Sequence, residues 1–284
     1  MNNQADPMLT VITATRNVTS SIGIESLERC LRSVAELKIP HEHIIQDGLS
    51  TDDTLSQCHR LSSRNVRIYS ESDTGIYSAL NKALQKARGK WVYVLGADDY
   101  IKDASTLEDT LLYAAKDNVD VIASPVWTEE FYNKPAPVYH RLLFCGMVYP
   151  HQGIIMRKEV MLDVGGFDER YKVAADCNML LGLILKGSRV KFISKPYTYY
   201  SSSGFSSGNK LIEVEYKRLL QEHLAITDAE AELLFRRRLL PLRVIIRYLL
   251  RKEPCIRKAI RFHIARYILS MLCCIDKSGR VIFR

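Results

Sequence analysis

Apolar and polar positions along the chain follow two different periods. Short apolar runs recur at Leu9 to Thr13, His43 to Gln46, Val66 to Tyr69, Trp91 to Leu95, Val119 to Ala123, Gly153 to Met156 and Val190 to Ile193. Each has the length and composition of a buried strand. Between them, apolar residues keep steps of three and four: Leu27, Leu31, Val34 and Leu37; Ile76, Leu80, Ala83 and Ala87; Leu107, Leu111 and Ala114. That spacing lines one face of a helix. Strands alternating with helices of this length predict an α/β fold with a mostly parallel, doubly wound sheet. It is expected over residues 8–205, after a disordered N-terminus at 1–7 and before a helical C-terminal extension at 206–284.

In sheets of this kind ligands bind beyond the carboxyl ends of the strands. The residues just after each run are therefore where chemistry is expected, and they are polar. Thr13-Ala14-Thr15-Arg16-Asn17 follows the first run and Asp47-Gly48-Leu49-Ser50-Thr51-Asp52-Asp53-Thr54 the second. Ser72-Asp73-Thr74-Gly75 follows the third and Gly96-Ala97-Asp98-Asp99 the fourth. No G-x-G-x-x-G and no G-x-x-x-x-G-K-[ST] stands after any strand, which disfavours a dinucleotide fold of the usual type and a P-loop. A phosphate-bearing ligand must then be held in another way. Carboxylates repel phosphate unless a divalent cation lies between them, so the Asp98-Asp99 pair reads as a Mg²⁺ or Mn²⁺ site bridging to a diphosphate.

Composition narrows the class. With 284 residues, 47% of them hydrophobic, the chain can bury one main core. Its seven cysteines are an odd, scattered set without C-x-x-C spacing, which points to a reducing compartment rather than a disulfide framework or a zinc cluster. The start of the chain lacks the basic and apolar segments of a signal peptide. No run approaches the roughly 18 apolar residues of a spanning helix, so a protein neither exported by that route nor inserted is expected.

Charge is unevenly placed. Residues 235–284 hold fourteen Lys/Arg against two Asp/Glu, a balance of +12, which leaves −4 on the first 234 residues. A tail of this kind suits an anionic surface. Arg243, Arg247 and Arg251 recur every four residues, as do Ile256, Ile260, Ile264, Ile268 and Leu272 on the following segment, with Pro241 and Pro254 breaking the tail into pieces. Two arrangements fit: amphipathic helices with basic faces lying on an anionic membrane, or helices packed on the domain with a solvated charged face. Nucleic acid is disfavoured, since the tail has few aromatics for stacking and no recognisable binding fold.

The motifs, taken in order, resemble glycosyltransferase family 2, the inverting enzymes of the GT-A fold, in its bacterial surface-polysaccharide form. The stretches that carry the resemblance are the strand with Thr13; Gln46-Asp47-Gly48 through Asp52-Asp53-Thr54; Ser72-Asp73-Thr74-Gly75-Ile76-Tyr77 leading into Asn81-Lys82-Ala83; Gly89-Lys90-Trp91 through Ala97-Asp98-Asp99; and His151-Gln152 through Gly165-Gly166-Phe167-Asp168 to Ala174-Ala175-Asp176. The resemblance implies nucleotide contacts from Thr13, Thr15, Asp47, Asp73, Lys82 and Asp98. It implies a Mn²⁺ or Mg²⁺ ion on Asp99 with Asp98, and Asp176 as catalytic base at the start of a helix. His151 and Gln152 fall on the acceptor or diphosphate side. The chain departs from the family at Gly96, where Asp or Asn often supplies a further acidic-motif position.

The chemistry agrees with those roles. An acceptor hydroxyl is a weak nucleophile until a carboxylate accepts its proton, and a departing nucleoside diphosphate needs a cation to neutralise its charge. Structural alternatives stand beside them. A carboxylate at a helix N-terminus, as at Asp176, is also favoured by the helix dipole. His151, after Pro150 in an apolar setting, also suits a core histidine, and Asp168 beside Gly165-Gly166 reads as a loop or capping residue. The run Tyr197 to Ser203 reads as a loop at the cleft. The resulting expectation is a nucleotide-sugar-dependent glycosyltransferase, the donor UDP-linked and the acceptor a lipid-linked or membrane-proximal glycan, acting in the cytoplasm at the inner face of the cell membrane. A sugar nucleotidyltransferase would need a glycine-rich phosphate loop that Ala14-Thr15-Arg16-Asn17 does not provide. A non-catalytic scaffold held to membrane or polyanion by its tail would bind no nucleotide.

Overall fold

The computed structural model describes residues 6–130, 150–201, 211–237, 240–251, 254–275 and 281–283. In chain order, the first half runs β1 (Leu9–Thr15), α1 (Val18–Ser21), α2 (Ile24–Ala35), β2 (His41–Asp47), α3 (Thr54–Leu61), β3 (Val66–Ser70), α4 (Ile76–Lys86), β4 (Trp91–Val94), β5 (Tyr100–Ile101), α5 (Ala104–Lys116) and β6 (Val121–Ala123). The second half runs β7 (Ile154–Arg157), α6 (Lys158–Asp163), α7 (Ala175–Lys186), β8 (Val190–Phe192), β9 (Thr198–Tyr199), α8 (Leu211–Leu224), α9 (Asp228–Arg237), α10 (Leu242–Tyr248), α11 (Pro254–Leu272), β10 (Cys273–Ile275) and β11 (Val281–Phe283).

All seven apolar runs become strands of one sheet, ordered β3-β2-β1-β4-β7-β6-β8. The pairings β1 with β2, β1 with β4, β2 with β3 and β6 with β8 are parallel. Strand β7 runs antiparallel to both its neighbours, β4 and β6. The runs are apolar throughout because both faces of the sheet are covered. Val11, Tyr93, Ile122 and Ile155 fill one core with Leu107 and Leu111 of α5 and Val34 of α2. Their neighbours Ile12, Val92, Val121 and Met156 fill the other with Leu80 and Leu84 of α4 and Leu180 and Ile184 of α7. Adjacent strand residues thus serve opposite cores, as the two-residue period of a strand requires.

Two boundaries differ from the sequence reading. Leu37 shares the helical spacing of α2 but lies beyond its end, where it is buried in the first of these cores. Residues 1–5 lie outside the described residues, and Pro7, expected in a disordered start, is buried with its carbonyl accepting the Lys90 N–H at 3.3 Å.

The C-terminal helices continue the second core. Leu219, Leu220 and Leu224 of α8, Leu234 of α9, Val244 and Ile245 of α10 and Ile256, Ala259 and Ile260 of α11 pack in the same cluster as Leu180 and Ile184. Ile264 packs against it partly buried, while the side chains of Ile268 and Leu272 lie outside the described residues. Pro241 and Pro254 do stand at the starts of α10 and α11, where a missing N–H costs nothing.

The arginine stripe is exposed at Arg243 and Arg247 and at the same time tied to neighbouring helices. Arg243 donates to the Ala225 carbonyl at 3.2 Å and pairs with Glu230, Arg247 donates to the Leu224 carbonyl at 3.1 Å, and Arg251 donates to the Leu185 carbonyl at 3.0 Å. These carbonyls sit at the C-terminal ends of α8 and α7. The last carbonyls of a helix lack internal partners and carry the negative end of its dipole, and cations satisfy both. Among the described residues, no helix is long and apolar enough to cross a membrane.

Candidate active site

The ends of β1, β2 and β3 are tied by one carboxylate. Asp47 is fully buried at the end of β2. Its Oδ1 accepts from Thr15 Oγ1 at 3.1 Å and from the Ser50 hydroxyl; its Oδ2 accepts from the Ser50 N–H at 3.0 Å and from Ser70 Oγ at 2.8 Å. The loops are knitted further by Asn17, whose N–H reaches Ser50 Oγ at 2.8 Å and whose side-chain oxygen takes the Thr51 N–H at 2.8 Å. Asn17 and Leu49 both adopt left-handed backbone, at φ 52° and 54°. In Leu49 that conformation bulges one residue outward, so that Ser50 returns to Asp47.

Around this knot the other expected nucleotide residues are placed unequally. Thr13 is fully buried, its hydroxyl 2.9 Å from His43 Nε2 and 3.9 Å from Cys30 Sγ, so its side chain supports the floor beneath the strand end. Asp73 accepts the Gly75 N–H at 3.0 Å ahead of α4 and reaches over Gly48, where a Cβ would collide with its carboxylate and where the Arg16 side chain also comes near. Lys82 holds the same loop through the Ser72 carbonyl and lies 3.6 Å from Glu71.

The acidic pair follows β4. Asp98 lines a cavity of about 610 Å³ together with Ser21, Arg29, Tyr100, Tyr199 and Ser201. Asp99 is 1% exposed beneath it. The Ser201 N–H donates to Asp99 Oδ1 at 2.8 Å, whereas Oδ2 is buried without a hydrogen-bond partner. A Cβ on Gly96 would stand 2.5 Å from Asp99 Oδ2 and 2.9 Å from Asp98 Oδ1, so the two carboxylates converge on space that only glycine leaves open. Burial first, and then the charge of Asp98, pushes the Asp99 carboxyl up to about 7, against the opposing effects of Ser201, His151 and Gln152. Burial also raises Asp98. Two hard oxygen donors with one orphaned atom suit a divalent cation that completes its shell on a ligand. No group of three or more His, Cys, Asp or Glu converges among the described residues.

Asp176, in the first turn of α7, faces the same region. Its Oδ1 accepts from the Cys177 N–H at 2.8 Å and Tyr77 Oη at 3.3 Å; its Oδ2 lies 3.3 Å from His151 Nδ1. The two side chains are 20% and 36% exposed, so the pair is open on one side. Burial would lower the His151 imidazole, but the hydrogen bond and charge of Asp176, followed by Asp99 and Asp98, raise it above its ordinary value. His151 is thus paired with Asp176 and feels the charges of Asp99 and Asp98, and its side chain is 36% exposed rather than sealed in a core. Gln152 is buried, and its carbonyl takes the Tyr93 hydroxyl at 2.9 Å. Asp168 is a loop residue paired with Arg170 at 2.6 Å.

Several supporting residues carried no motif. Glu215 of α8 is 8% exposed and accepts the N–H groups of Lys172, Val173 and Ala174 at 2.7, 2.8 and 3.0 Å, the backbone that leads into α7 and Asp176. Glu222, two turns on, takes Tyr171 Oη at 3.0 Å. Tyr77 stacks on Phe167 with ring centroids 5.6 Å apart, and Asn81 bonds both the N–H and the carbonyl of Phe167. The Tyr197 to Ser201 part of the expected loop holds a strand: β9 pairs with β5, and Tyr197 is buried with its hydroxyl on the Gly153 carbonyl. Ser202 and Ser203 lie outside the described residues. A periodicity search could not have found Glu215, because only the fold brings α8 against the start of α7.

With that geometry in place, comparison with known proteins is informative. The family model of glycosyl transferase family 2 matches residues 10–162. The chain is 32% identical over 180 residues to a PGL/p-HBAD biosynthesis glycosyltransferase of Mycobacterium bovis, covering 61% of this chain and 68% of that protein. Among solved structures it superposes on S. aureus TarS 1-349 in complex with UDP-GlcNAc with a TM-score of 0.64 at 19% identity, over 97% and 96% of the two chains. It superposes on the mannosyltransferase PcManGT of Pyrobaculum calidifontis, in complex with GDP-Man and Mn²⁺, with a TM-score of 0.59 at 18% identity, over 94% and 88%. At these identities the structural likeness is one of fold, the GT-A arrangement of a mostly parallel sheet flanked by helices.

Proposed function

The chain belongs to glycosyl transferase family 2 and is a glycosyltransferase, and from that premise we propose that it is inverting and metal-dependent, taking its sugar from a UDP-linked donor. The acceptor is a hydroxyl of a lipid-linked or membrane-proximal glycan in surface polysaccharide biosynthesis, and the enzyme works at the cytoplasmic face of the cell membrane. The observation that carries the reading is the buried, unpartnered Asp99 Oδ2 converging with Asp98 Oδ1 over Gly96, with His151 linking that pair to Asp176.

Asp99 and Asp98 would hold Mn²⁺ or Mg²⁺, which supplies neutralisation of the charge that grows on a departing diphosphate. Asp98, at the cavity wall, contacts the nucleotide as well. The strand-end loops held by Thr13, Thr15 and Asp47, together with Asp73 and Lys82, shape the nucleotide side of the cleft. Asp176 takes the acceptor proton on Oδ2, because Oδ1 is already engaged by Tyr77 and the Cys177 N–H. His151, 3.3 Å from Oδ2, orients that carboxylate. Gln152 supports the His151 turn on the acceptor or diphosphate side. Attack by the activated hydroxyl opposite the leaving diphosphate is a single displacement, which inverts the anomeric carbon.

Residues 8–205 carry the chemistry in this reading, and residues 206–284 add the membrane-facing extension with its basic balance. Calorimetry with UDP tests the proposal: saturable binding that requires Mn²⁺ in the wild type and vanishes in Asp99→Ala is expected. Binding of equal strength in Asp99→Ala would remove the metal assignment, and absence of any nucleotide binding would favour a scaffold.

A further inference from the structure

The outer face of α10 and of the turn after it is aliphatic as well as basic. Arg243 and Arg247 are exposed while donating to the carbonyls at the end of α8, and beside them large aliphatic side chains point outward. Leu242 is 51% exposed, Ile246 62%, Leu249 50% and Leu250 91%. The opposite face, Val244, Ile245 and Tyr248, is buried in the core. A contiguous outward ridge of large aliphatic residues on a folded protein marks an interaction surface.

We propose that this ridge seats the protein on an anionic lipid surface. The occupant is identified by charge. Helix α11 packs against α10 and buries Ile256, Ala259 and Ile260 in the same core, so the free faces of the two helices both turn away from that core. The free face of α11 presents Arg257, Lys258 and Arg261, all exposed, and no acidic residue occurs in 254–272. Aliphatic side chains flanked by exposed cations match the boundary between acyl chains and anionic headgroups. A second copy of the chain would set the same cations against themselves. The proposal rests on the reading of a membrane-proximal acceptor and deepens it, since it places the apolar contact on the aliphatic residues of α10 and the turn after it, beside the exposed Arg243 and Arg247.

The test is sedimentation of the full chain with phosphatidylcholine vesicles, with and without about one quarter phosphatidylglycerol. The wild type is expected to partition at least about tenfold more strongly onto the anionic vesicles, with the difference shrinking in high salt. Ile246→Ser with Leu250→Ser, and separately Arg257→Gln with Lys258→Gln and Arg261→Gln, should each reduce that partitioning about tenfold while the thermal midpoint holds. Undiminished vesicle binding in the ridge variant overturns the proposal. So does a concentration-dependent dimer in the ultracentrifuge that the ridge variant abolishes while neither protein binds vesicles. UDP release from a donor sugar in vesicle-free solution separates the two readings. If it persists without vesicle binding, the membrane inference alone fails; if it is absent while vesicles are bound, the catalytic reading fails and the surface stands.

Discussion

Two carboxylates, at the ends of strands β2 and β4 on either side of β1, have the same burial and opposite fates. Asp47 after β2 is fully buried and accepts four hydrogen bonds from three strand ends. Asp99 after β4 is 1% exposed, accepts one from Ser201, keeps an orphaned oxygen and is pushed up to about 7. Burying a charge is tolerable when every lone pair is met, and expensive otherwise. The first arrangement is a fastening. The second leaves an unmet demand of the kind a cation can answer, and the difference teaches that satisfaction, rather than depth, separates a fastening acid from a candidate cation ligand.

The comparison is broken most directly at Asp99. Asp99→Asn should lower transfer by about 10³-fold, the several kcal/mol that a cation supplies to a developing charge. Its thermal midpoint in chelator should stay the same or rise. A stability loss without an activity loss would reverse the assignment. Asp47→Ala should do the opposite first, costing about 3 kcal/mol as donors at three strand ends lose their acceptor. Chemical denaturation reads that, and an unchanged midpoint would show the knot to be dispensable.

A pH series sharpens the contrast. Asp99 holds its proton to about 7, well above an ordinary carboxylate. The sign follows from linkage: in chelator the folded state retains this proton where the unfolded chain has lost it, so this group's effect on stability declines as pH rises from about 4 to about 7. A cation must displace the same proton, so Mn²⁺ affinity should rise about fivefold from pH 6 to pH 7 beyond any change shared with Asp99→Asn, and level off about twofold higher by pH 8. Titration calorimetry in buffers of different ionisation enthalpy measures the released proton, and a flat affinity would count against the elevated carboxyl.

The smallest expected effect lies at the other end of the cleft. Glu215→Gln replaces an acceptor of three N–H groups with a side chain that cannot take all three, and loosens the backbone before Asp176. The expectation is a few-fold to about tenfold loss in kcat with donor KM and Mn²⁺ affinity unchanged, largely restored in Glu215→Asp. A parallel loss of donor binding would show that Glu215 supports the whole domain instead.

Much of this was legible in the residue pattern. The seven strands and the α2, α4 and α5 stripes follow from periodicity, because a sheet covered on both faces demands unbroken apolar runs and its helices demand steps of three and four. The acidic pair and the polar strand ends were legible because sheet topology confines chemistry to those loops. The arginine stripe was legible as a pattern but its carbonyl partners were not, since a period locates a face and does not say which neighbour meets it.

By itself, then, the sequence determined the fold class, the family and the segments from which the candidate site is proposed, all of which depend on local spacing. Tertiary structure alone decided which acid is satisfied, that His151 pairs with Asp176 within electrostatic reach of Asp99, that Glu215 holds the approach to α7, and that aliphatic side chains of α10 face outward. Those outcomes depend on which distant groups meet, and long-range neighbours are set by packing of the whole core rather than by the period of any one segment.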